Sequence, residues 1–223
     1  MELGILSILA LGFVLGIKHA IEPDHVIAVS TIASHSKKLS RSSLSGVYWG
    51  IGHTATLFLI GVLFILLKGE IPEKWAMSLE FLVGVMLVYL GIRAVGFFKN
   101  VHEHEHERER ERERGQGHPT SYAKSAVVGL IHGLAGSGAM ILLTMNTVDS
   151  LWEGAFYILI FGVGTIVGML LFTTLIGIPF VLSAKKLTLN KKLTQITGIV
   201  SVTFGVYYMY NLGITEGLFK LWF

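Results

Sequence analysis

The sequence predicts an all-α polytopic membrane protein with six transmembrane segments, arranged as a three-plus-three inverted repeat. Three observations predict this fold class. The 223 residues are 52% hydrophobic with a mean hydropathy of +0.63, which is too apolar for a soluble domain of this size. Six apolar stretches are long enough, or nearly so, to cross a hydrocarbon core of about 30 Å. The two halves of the chain also carry similar motifs at a nearly constant spacing.

The first predicted segment differs from the others because it is too long for one straight span. Roughly 31 residues at 1.5 Å each would extend about 46 Å. Pro23 lies inside it, lacks an N–H group and clashes with the carbonyl of His19 four residues earlier. We therefore expect a helix broken at Pro23, with a free His19 carbonyl beside the histidines. The six predicted segments are 3–33, 44–67, 76–98, 122–146, 152–182 and 193–214.

The duplication is visible in glycine-containing motifs. Gly16 and Gly129 are 113 residues apart, and each precedes a histidine by three positions, His19 and His132. The motif Gly50-Ile51-Gly52 resembles Gly162-Val163-Gly164 at a spacing of 112 residues. Because each half contains an odd number of spans, the halves must be inserted in opposite orientations. Inverted repeats with broken helices near the membrane midplane are typical of secondary transporters.

The third helices of the two halves also correspond, with Gly84 matching Gly198 at a spacing of 114 residues. In the fourth segment, Gly136 and Gly138 fall where the first half has Glu22–His25. Glycine is conformationally permissive and could open a helix there. We therefore expect the fourth helix, like the first, to be broken or kinked.

The sequence divides into two repeats joined by a polar linker. Residues 1–98 form the first three-helix repeat, 99–121 a flexible loop rich in His, Glu and Arg, and 122–223 the second repeat. The loops after segments one and five contain Lys and Arg but no acid, which by the positive-inside rule places them in the cytoplasm. Both termini are then outside a plasma (inner) membrane, and the His-rich loop is cytoplasmic.

Several classes of function are excluded by composition. The chain has no cysteine, so disulfides, thiol redox chemistry and thiolate metal sites are absent. Its formal charge of +3 is small and spread over loops, and gives no reason to expect nucleic acid as a partner. There is no Walker-type nucleotide motif. We expect neither an enzyme nor a prosthetic cofactor.

Ionisable residues inside the first predicted span mark the candidate site. His19, Asp24 and His25 lie within seven residues between apolar flanks. Such residues are expensive at membrane depth and by default indicate an ion or proton path. Imidazole suits Ni²⁺, Co²⁺, Zn²⁺ and Cu²⁺, and a carboxylate offsets part of the cation's charge. Glu22 could orient an imidazole or face a water-filled path.

Two further histidines are candidate metal ligands. His53 follows Gly50-Ile51-Gly52 in the second span, and its counterpart in the other half is Thr165. His132 is the counterpart of His19. The alternative for each is a hydrogen bond between helices, which is the common role of a lone membrane histidine.

These motifs resemble a known family. His19-x4-Asp24-His25 resembles the HX4DH signature of the nickel/cobalt transporter family, and Gly52-His53-Thr54 is similar to its Gly-His-Ser/Thr element. The resemblance implies Ni/Co transport, and it carries His19, Asp24, His25 and His53 over as functional residues. The family's second-half Phe-Asp-Thr-Ala-Thr-Glu element is replaced by residues 131–138, a version similar to the UreH-like branch. The wider superfamily implies the three-plus-three inverted repeat.

The sequence therefore predicts membrane transport of a divalent transition-metal cation, Ni²⁺ or Co²⁺, by alternating access to a midplane site. Its partners would be the lipid bilayer and the metal ion, with a homo-oligomer and a cytoplasmic metallochaperone as open alternatives. Other cargoes remain open, namely Zn²⁺, Fe²⁺, Mn²⁺ or a small anion such as sulfite. A more distant alternative is an intramembrane serine protease with Ser137 as its nucleophile.

Overall fold

The computed structural model describes residues 5–36, 38–67, 72–96, 120–145 and 150–222; of residues 5, 120, 121 and 137–145 it describes only the backbone. The described residues are helical and contain no strand. Most of the predicted linker 99–121 lies outside them. A π-helical turn at Asn211–Thr215 continues the seventh helix. The helices are α1 Ile5–His19, α2 Pro23–Ala33, α3 Leu39–Leu67, α4 Glu73–Gly96, α5 Thr120–Met145, α6 Leu151–Ser183, α7 Leu187–Tyr210 and α8 Leu218–Trp222.

The apolar helices indicate an integral membrane protein. By length and composition α3, α4 and α6 can each cross a membrane, and the bent pair α1–α2 makes a fourth candidate span. Helices α5 and α7 are 26 and 24 residues long, but they are richer in Gly, Ser, Thr and Lys. Large apolar side chains cover the outside, such as Leu6, Leu67 and Leu182, which are 79%, 67% and 75% exposed. The six-span arrangement stays a prediction.

The first predicted segment consists of two helices that meet at Pro23. Helices α1 and α2 are inclined by 56°. Glu22 is extended, with ψ 147°, and Pro23 is the first residue of α2, the helical position where a missing N–H costs least. The expected free carbonyl is not present, because the His19 oxygen accepts the Glu22 N–H at 3.1 Å. The chain thus turns sharply while keeping this backbone carbonyl satisfied.

The fourth segment differs from the expectation. Helix α5 runs from Thr120 to Met145 without interruption at Gly136 or Gly138. Glycine lowers helix propensity by about 1 kcal/mol relative to alanine but keeps its N–H, whereas proline removes a hydrogen bond and clashes with the preceding turn. Glycine alone therefore does not require a break in a helix. Gly136 instead faces the histidines, since a Cβ there would lie 3.9 Å from both His19 Nε2 and His53 Cε1.

The main helix contacts run between the two halves of the chain. Helix α1 packs on α6, and α5 packs on α3. Close contacts at Gly16–Phe161 and Ala20–Gly168 show that α1 and α6 run parallel. Helix α3 also packs on α6, and α4 packs on α7. Each half thus places its first helix against the second helix of the other half.

Glycines permit these close approaches. A Cβ at Gly16 would overlap the carbonyl oxygen of Phe161, and a Cβ at Gly129 would overlap that of Trp49. Because backbone contacts backbone at these points, no larger residue fits without separating the helices. Gly133 lies against His53 in the same way, with its Cβ position 3.0 Å from the His53 Cα. These glycines therefore set how closely α5 approaches the histidine on α3.

The contacts are reciprocal under the sequence duplication. A Cβ at Gly84 would lie 3.1 Å from the Gly205 oxygen, and a Cβ at Gly205 would lie 2.7 Å from the Gly84 oxygen. Gly91 and Gly198 contact each other in the same way. At the repeat spacing of 114 residues, position 84 corresponds to 198 and position 91 to 205. The contact of Gly84 with Gly205 therefore corresponds to the contact of Gly198 with Gly91. A local two-fold relation between α4 and α7 accounts for this correspondence.

Candidate metal centre

Four histidines from four helices meet at the break between α1 and α2. His19 is the last residue of α1, and His25 lies in the first turn of α2. His53 is the midpoint of α3, and His132 lies at the middle of α5. The ring centroid of His25 is 4.5 Å from that of His19, 5.1 Å from that of His53 and 4.1 Å from that of His132. His25 is therefore at the centre of the cluster.

Burial separates these side chains from water. His25, His53 and His132 are 1%, 0% and 2% exposed, and the His19 side chain is 14% exposed. Buried polar groups normally have hydrogen-bond partners. Three imidazole nitrogens here have none among the described residues, namely His25 Nε2, His53 Nδ1 and His132 Nδ1.

Asp24 fixes the tautomers of two of the histidines. Its Oδ1 accepts from His25 Nδ1 at 3.2 Å, and its Oδ2 accepts from His132 Nε2 at 2.9 Å. In a neutral imidazole the nitrogen that does not carry the proton has a free lone pair. Those nitrogens, His25 Nε2 and His132 Nδ1, are two of the three unpartnered atoms. A carboxylate that orients imidazoles in this way is a common feature of metal sites.

Glu22 acts in the same way on His19. Its Oε2 lies 2.9 Å from His19 Nδ1, and its side chain is half exposed. The other nitrogen of His19, Nε2, is 3.1 Å from His53 Nε2. If His19 Nδ1 donates to Glu22, His19 Nε2 accepts from His53, and His53 Nδ1 keeps a lone pair. Glu22 therefore orients the His19 imidazole, and its own oxygens are not among the clustered donor atoms.

Two overlapping sets of donor atoms result from this arrangement. One contains His19, His25 and His53, and the other contains Asp24, His25 and His132; within each set the candidate ligand atoms lie within 4.8 Å of one another. Imidazole nitrogens with one carboxylate suit borderline divalent ions such as Ni²⁺, Co²⁺ and Zn²⁺. The structure thus brings together all five clustered residues that the sequence singled out. Their role as ligands stays a prediction.

A cavity of about 280 Å³ opens beside the cluster. It lies between α1 and α5 on one side and α4 and α7 on the other. Three carboxylates and one lysine line it, so its net charge favours a cation. The polar residues on its wall are Lys18, His19, Glu22, Asp24, His25, Glu80, His132 and Tyr208.

Three residues near the cluster were not predicted from the sequence. Glu80 and Tyr208 line the cavity, and the Tyr208 hydroxyl donates to Glu80 Oε2 at 3.3 Å. Glu80 is the single acid in the predicted span 76–98, and its cost at membrane depth was a usable signal. Trp49 is buried beside His25 and His132, but a tryptophan in an apolar span carries no such signal.

The counterpart of His53 in the other half does not join the site. The Thr165 hydroxyl donates to the Phe161 carbonyl of its own helix at 3.0 Å. The two corresponding positions, His53 and Thr165, therefore differ in chemistry. Ser137, the nucleophile of the protease alternative, has a side chain outside the described residues.

Comparison with known proteins places the chain in a family. A family profile described as the cytochrome c biogenesis protein transmembrane region matches residues 7–207. The urease accessory protein UreH of Bacillus sp. (strain TB-90) is 61% identical over 227 residues, which cover 99% of this chain and 98% of UreH. The chain belongs to this family. The resemblance to the UreH-like branch of the nickel/cobalt transporters is thereby confirmed.

Two more distant relatives extend the UreH-like comparison. A protein of Methanocaldococcus jannaschii, provisionally named a nickel/cobalt efflux system, is 27% identical over 87% of this chain and 88% of its own length. The chloroplast protein FOR GROWTH AND FERTILITY 1 of Arabidopsis thaliana is 27% identical over 87% of this chain and 56% of its own length. No solved structure gives a significant match.

The absence of cysteine distinguishes this UreH-like chain from a thiol-based electron carrier. The family profile takes its description from cytochrome c biogenesis. Thiol–disulfide exchange requires a thiolate as the attacking group, and this sequence contains no cysteine. The histidine cluster, which the sequence does contain, has to be explained by a different chemistry.

Proposed function

We propose that this UreH-like protein transports a divalent transition-metal cation, Ni²⁺ or Co²⁺, across the membrane by alternating access to the histidine cluster. The observation that carries the proposal is the set of three unpartnered imidazole nitrogens on His25, His53 and His132. A buried polar atom without a partner costs about 1–3 kcal/mol, so a protein keeps several together only where something else satisfies them. A borderline divalent cation prefers imidazole ligands, and His25 belongs to both donor sets, one with His53 and the other with His132.

Two further observations support a cation as the cargo. One relative carries a name that refers to nickel/cobalt efflux, and UreH is named a urease accessory protein. The carboxylates Glu22, Asp24 and Glu80 line the cavity against one lysine, Lys18. Sulfite or another anion would be repelled by that balance of charge. Zn²⁺, Fe²⁺ and Mn²⁺ are the competing cargoes.

The packing suggests which parts move during alternating access. Helices α1, α3, α5 and α6, called here the four-helix group, contact one another extensively across the two halves. Helices α4 and α7 pack mainly on each other and contact the four-helix group less, through α4 on α5 and α7 on α6, and α2 contacts both units. The cavity lies between them. We propose that the α4–α7 pair shifts relative to the four-helix group and that α2 carries Asp24 and His25 between two accessible states.

Flux measurements test the proposed function. Proteoliposomes containing the full chain are loaded on either side with ⁶³Ni or ⁵⁷Co, and initial rates are compared for wild type and His25→Ala. Because His25 belongs to both donor sets, we expect the variant to lose at least about nine-tenths of the flux. Competition by Zn²⁺, Fe²⁺ and Mn²⁺ ranks the cargoes, and both gradient directions are measured.

The matched control is His35→Ala, which removes an imidazole just after α2, at an exposed position away from the cluster. We expect this variant to retain wild-type flux. Ser137→Ala tests the protease alternative, and a transporter keeps its flux in that variant. Equal rates for His25→Ala and wild type would sink the proposal, as would a wild-type protein that moves none of these ions.

A further inference from the structure

The α4–α7 pair brings a carboxylate to the far wall of the cavity. Glu80 and Tyr208 come from α4 and α7, whereas His19, His132 and the remaining wall come from α1, α2, α5 and α6. Val83, the other α4 residue on the wall, is apolar. The pair therefore presents one ionisable group and one hydroxyl to a cavity whose opposite wall holds the metal donors.

Helix geometry places Glu80 closer to a membrane face than the histidines. His53 is 14 residues from each end of α3, or about 21 Å at 1.5 Å per residue. Glu80 is only seven residues from the start of α4, or about 10 Å. A path from the membrane face where α4 begins thus reaches Glu80 before it reaches the cluster.

The cavity is large enough for an ion that still carries water. A water molecule occupies about 30 Å³ in the liquid, so a shell of six needs about 180 Å³. The cavity holds about 280 Å³. Two of its wall residues, His25 and His132, are at least 98% buried and carry unpartnered nitrogens. A hydrated cation in the cavity therefore lies beside the two rings that carry these nitrogens.

We propose that Glu80 is the carboxylate of an outer binding site, which captures the hydrated divalent cation before the histidine cluster replaces its water. This inference rests on the proposed function and adds a residue that the family motifs do not include. Tyr208 donates a hydrogen bond to Glu80, and that proton competes with the cation for the carboxylate. Phe204, whose ring stacks on Tyr208 at a centroid distance of 6.0 Å, holds the tyrosine in place.

The fluorescence of Trp49 can report metal binding at the histidine cluster. The Trp49 ring lies 5.5 Å from the His132 ring and 6.4 Å from the His25 ring, centroid to centroid. A paramagnetic ion in the cluster quenches the fluorescence of such a neighbour. Mixing the purified full chain with Ni²⁺ in a stopped-flow instrument therefore gives an association rate constant and a saturating amplitude for the inner site.

For Glu80→Gln we expect an association rate constant about tenfold below wild type at low salt, since a charge-lined cleft raises on-rates by roughly 10–1,000-fold. The saturating amplitude stays at the wild-type value. Raising the salt concentration slows wild type more than the variant, because salt screens the attraction. The matched control Glu73→Gln, which removes the same charge from the exposed first turn of α4, leaves the rate within twofold of wild type.

Tyr208→Phe should change the association rate in the direction opposite to Glu80→Gln. Removing the competing hydroxyl frees the Glu80 carboxylate, and we expect an association rate about twofold above wild type. The inference is overturned if Glu80→Gln behaves like Glu73→Gln, if it abolishes the amplitude, or if Tyr208→Phe slows association. Absence of any Ni²⁺ signal in wild type, together with absence of flux, instead overturns the proposed function itself.

Discussion

At the scale of single residues, two carboxylates determine which nitrogen of each neighbouring imidazole carries the proton. Asp24 holds His25 and His132 so that the opposite nitrogen of each ring keeps its lone pair. Glu22 holds His19 in the same manner from a half-exposed position. For the cation that we propose, such preset imidazoles would lower the cost of ordering the ligands on binding.

The carboxylates can be distinguished by amide substitution. Asp24→Asn removes a charge and forces one imidazole into the wrong tautomer, so we expect Ni²⁺ affinity to fall by more than about a hundredfold, beyond the 10–100-fold range of supporting residues. Glu22→Gln affects one imidazole and stays within that range. Competition with a chromophoric chelator measures both, and equal losses in the two variants would contradict this assignment of roles.

The sequence predicted the clustered residues because each is an ionisable group in an apolar span. His19, Asp24, His25, His53 and His132 all carry that signal, and the structure brings them together. The same signal applies to Glu80, which was missed because no motif surrounds it. Trp49 was beyond sequence reasoning, since its position beside the imidazoles depends on how closely α3 and α5 approach.

At the scale of elements, the break between α1 and α2 decides where the donors point. In a continuous helix His19 and His25 would lie about 240° apart around the axis. The 56° bend and the extended Glu22 bring their ring centroids to 4.5 Å. Pro23 was therefore an informative residue in the sequence. The glycines at 136 and 138 were not, because a helix tolerates them when neighbours pack against it.

Pro23→Ala tests this element. An alanine restores the N–H and permits a continuous helix, so the donors diverge although none has been removed. We expect Ni²⁺ affinity to fall by on the order of tenfold, or about 1.4 kcal/mol. The control is Pro179→Ala, which removes a proline inside α6 at an exposed position. If both variants bind Ni²⁺ as tightly as wild type, the break does not gather the ligands.

At the scale of the whole molecule, one membrane face is marked by tryptophans. Trp75, Trp152 and Trp222 lie near the start of α4, the start of α6 and the end of α8, and are 52%, 73% and 43% exposed. Tryptophan is enriched at membrane–water interfaces. The Lys-rich link between α6 and α7 is at the opposite ends of these helices. The orientation that the positive-inside rule predicts, with this link in the cytoplasm, stays a prediction.

The lack of cysteine makes this orientation easy to test, because any introduced thiol is the only one in the chain. Glu73→Cys and Lys185→Cys place it at exposed positions on the two faces. In intact bacterial cells we expect a membrane-impermeant maleimide to label Glu73→Cys alone, and to label Lys185→Cys only after permeabilisation. The reverse pattern would show that the chain is inserted the other way.

The long-range arrangement was only partly accessible from sequence. The spacing of about 113 residues between motifs indicated two related halves, and the reciprocal contacts of Gly84 with Gly205 agree with it. The spacing did not reveal that α1 lies against α6 and α5 against α3. Glycine spacing marks a face for close approach, but any helix with a matching face could fill it.

The crossed pairing of first and second helices imposes an order on biosynthesis. Helix α1 ends at His19, and its main neighbour α6 begins at Leu151, so translation at about 5–20 residues per second leaves α1 without that neighbour for on the order of ten seconds. During this interval the nascent segment bearing Asp24 and two histidines lacks the helix that covers it in the folded protein.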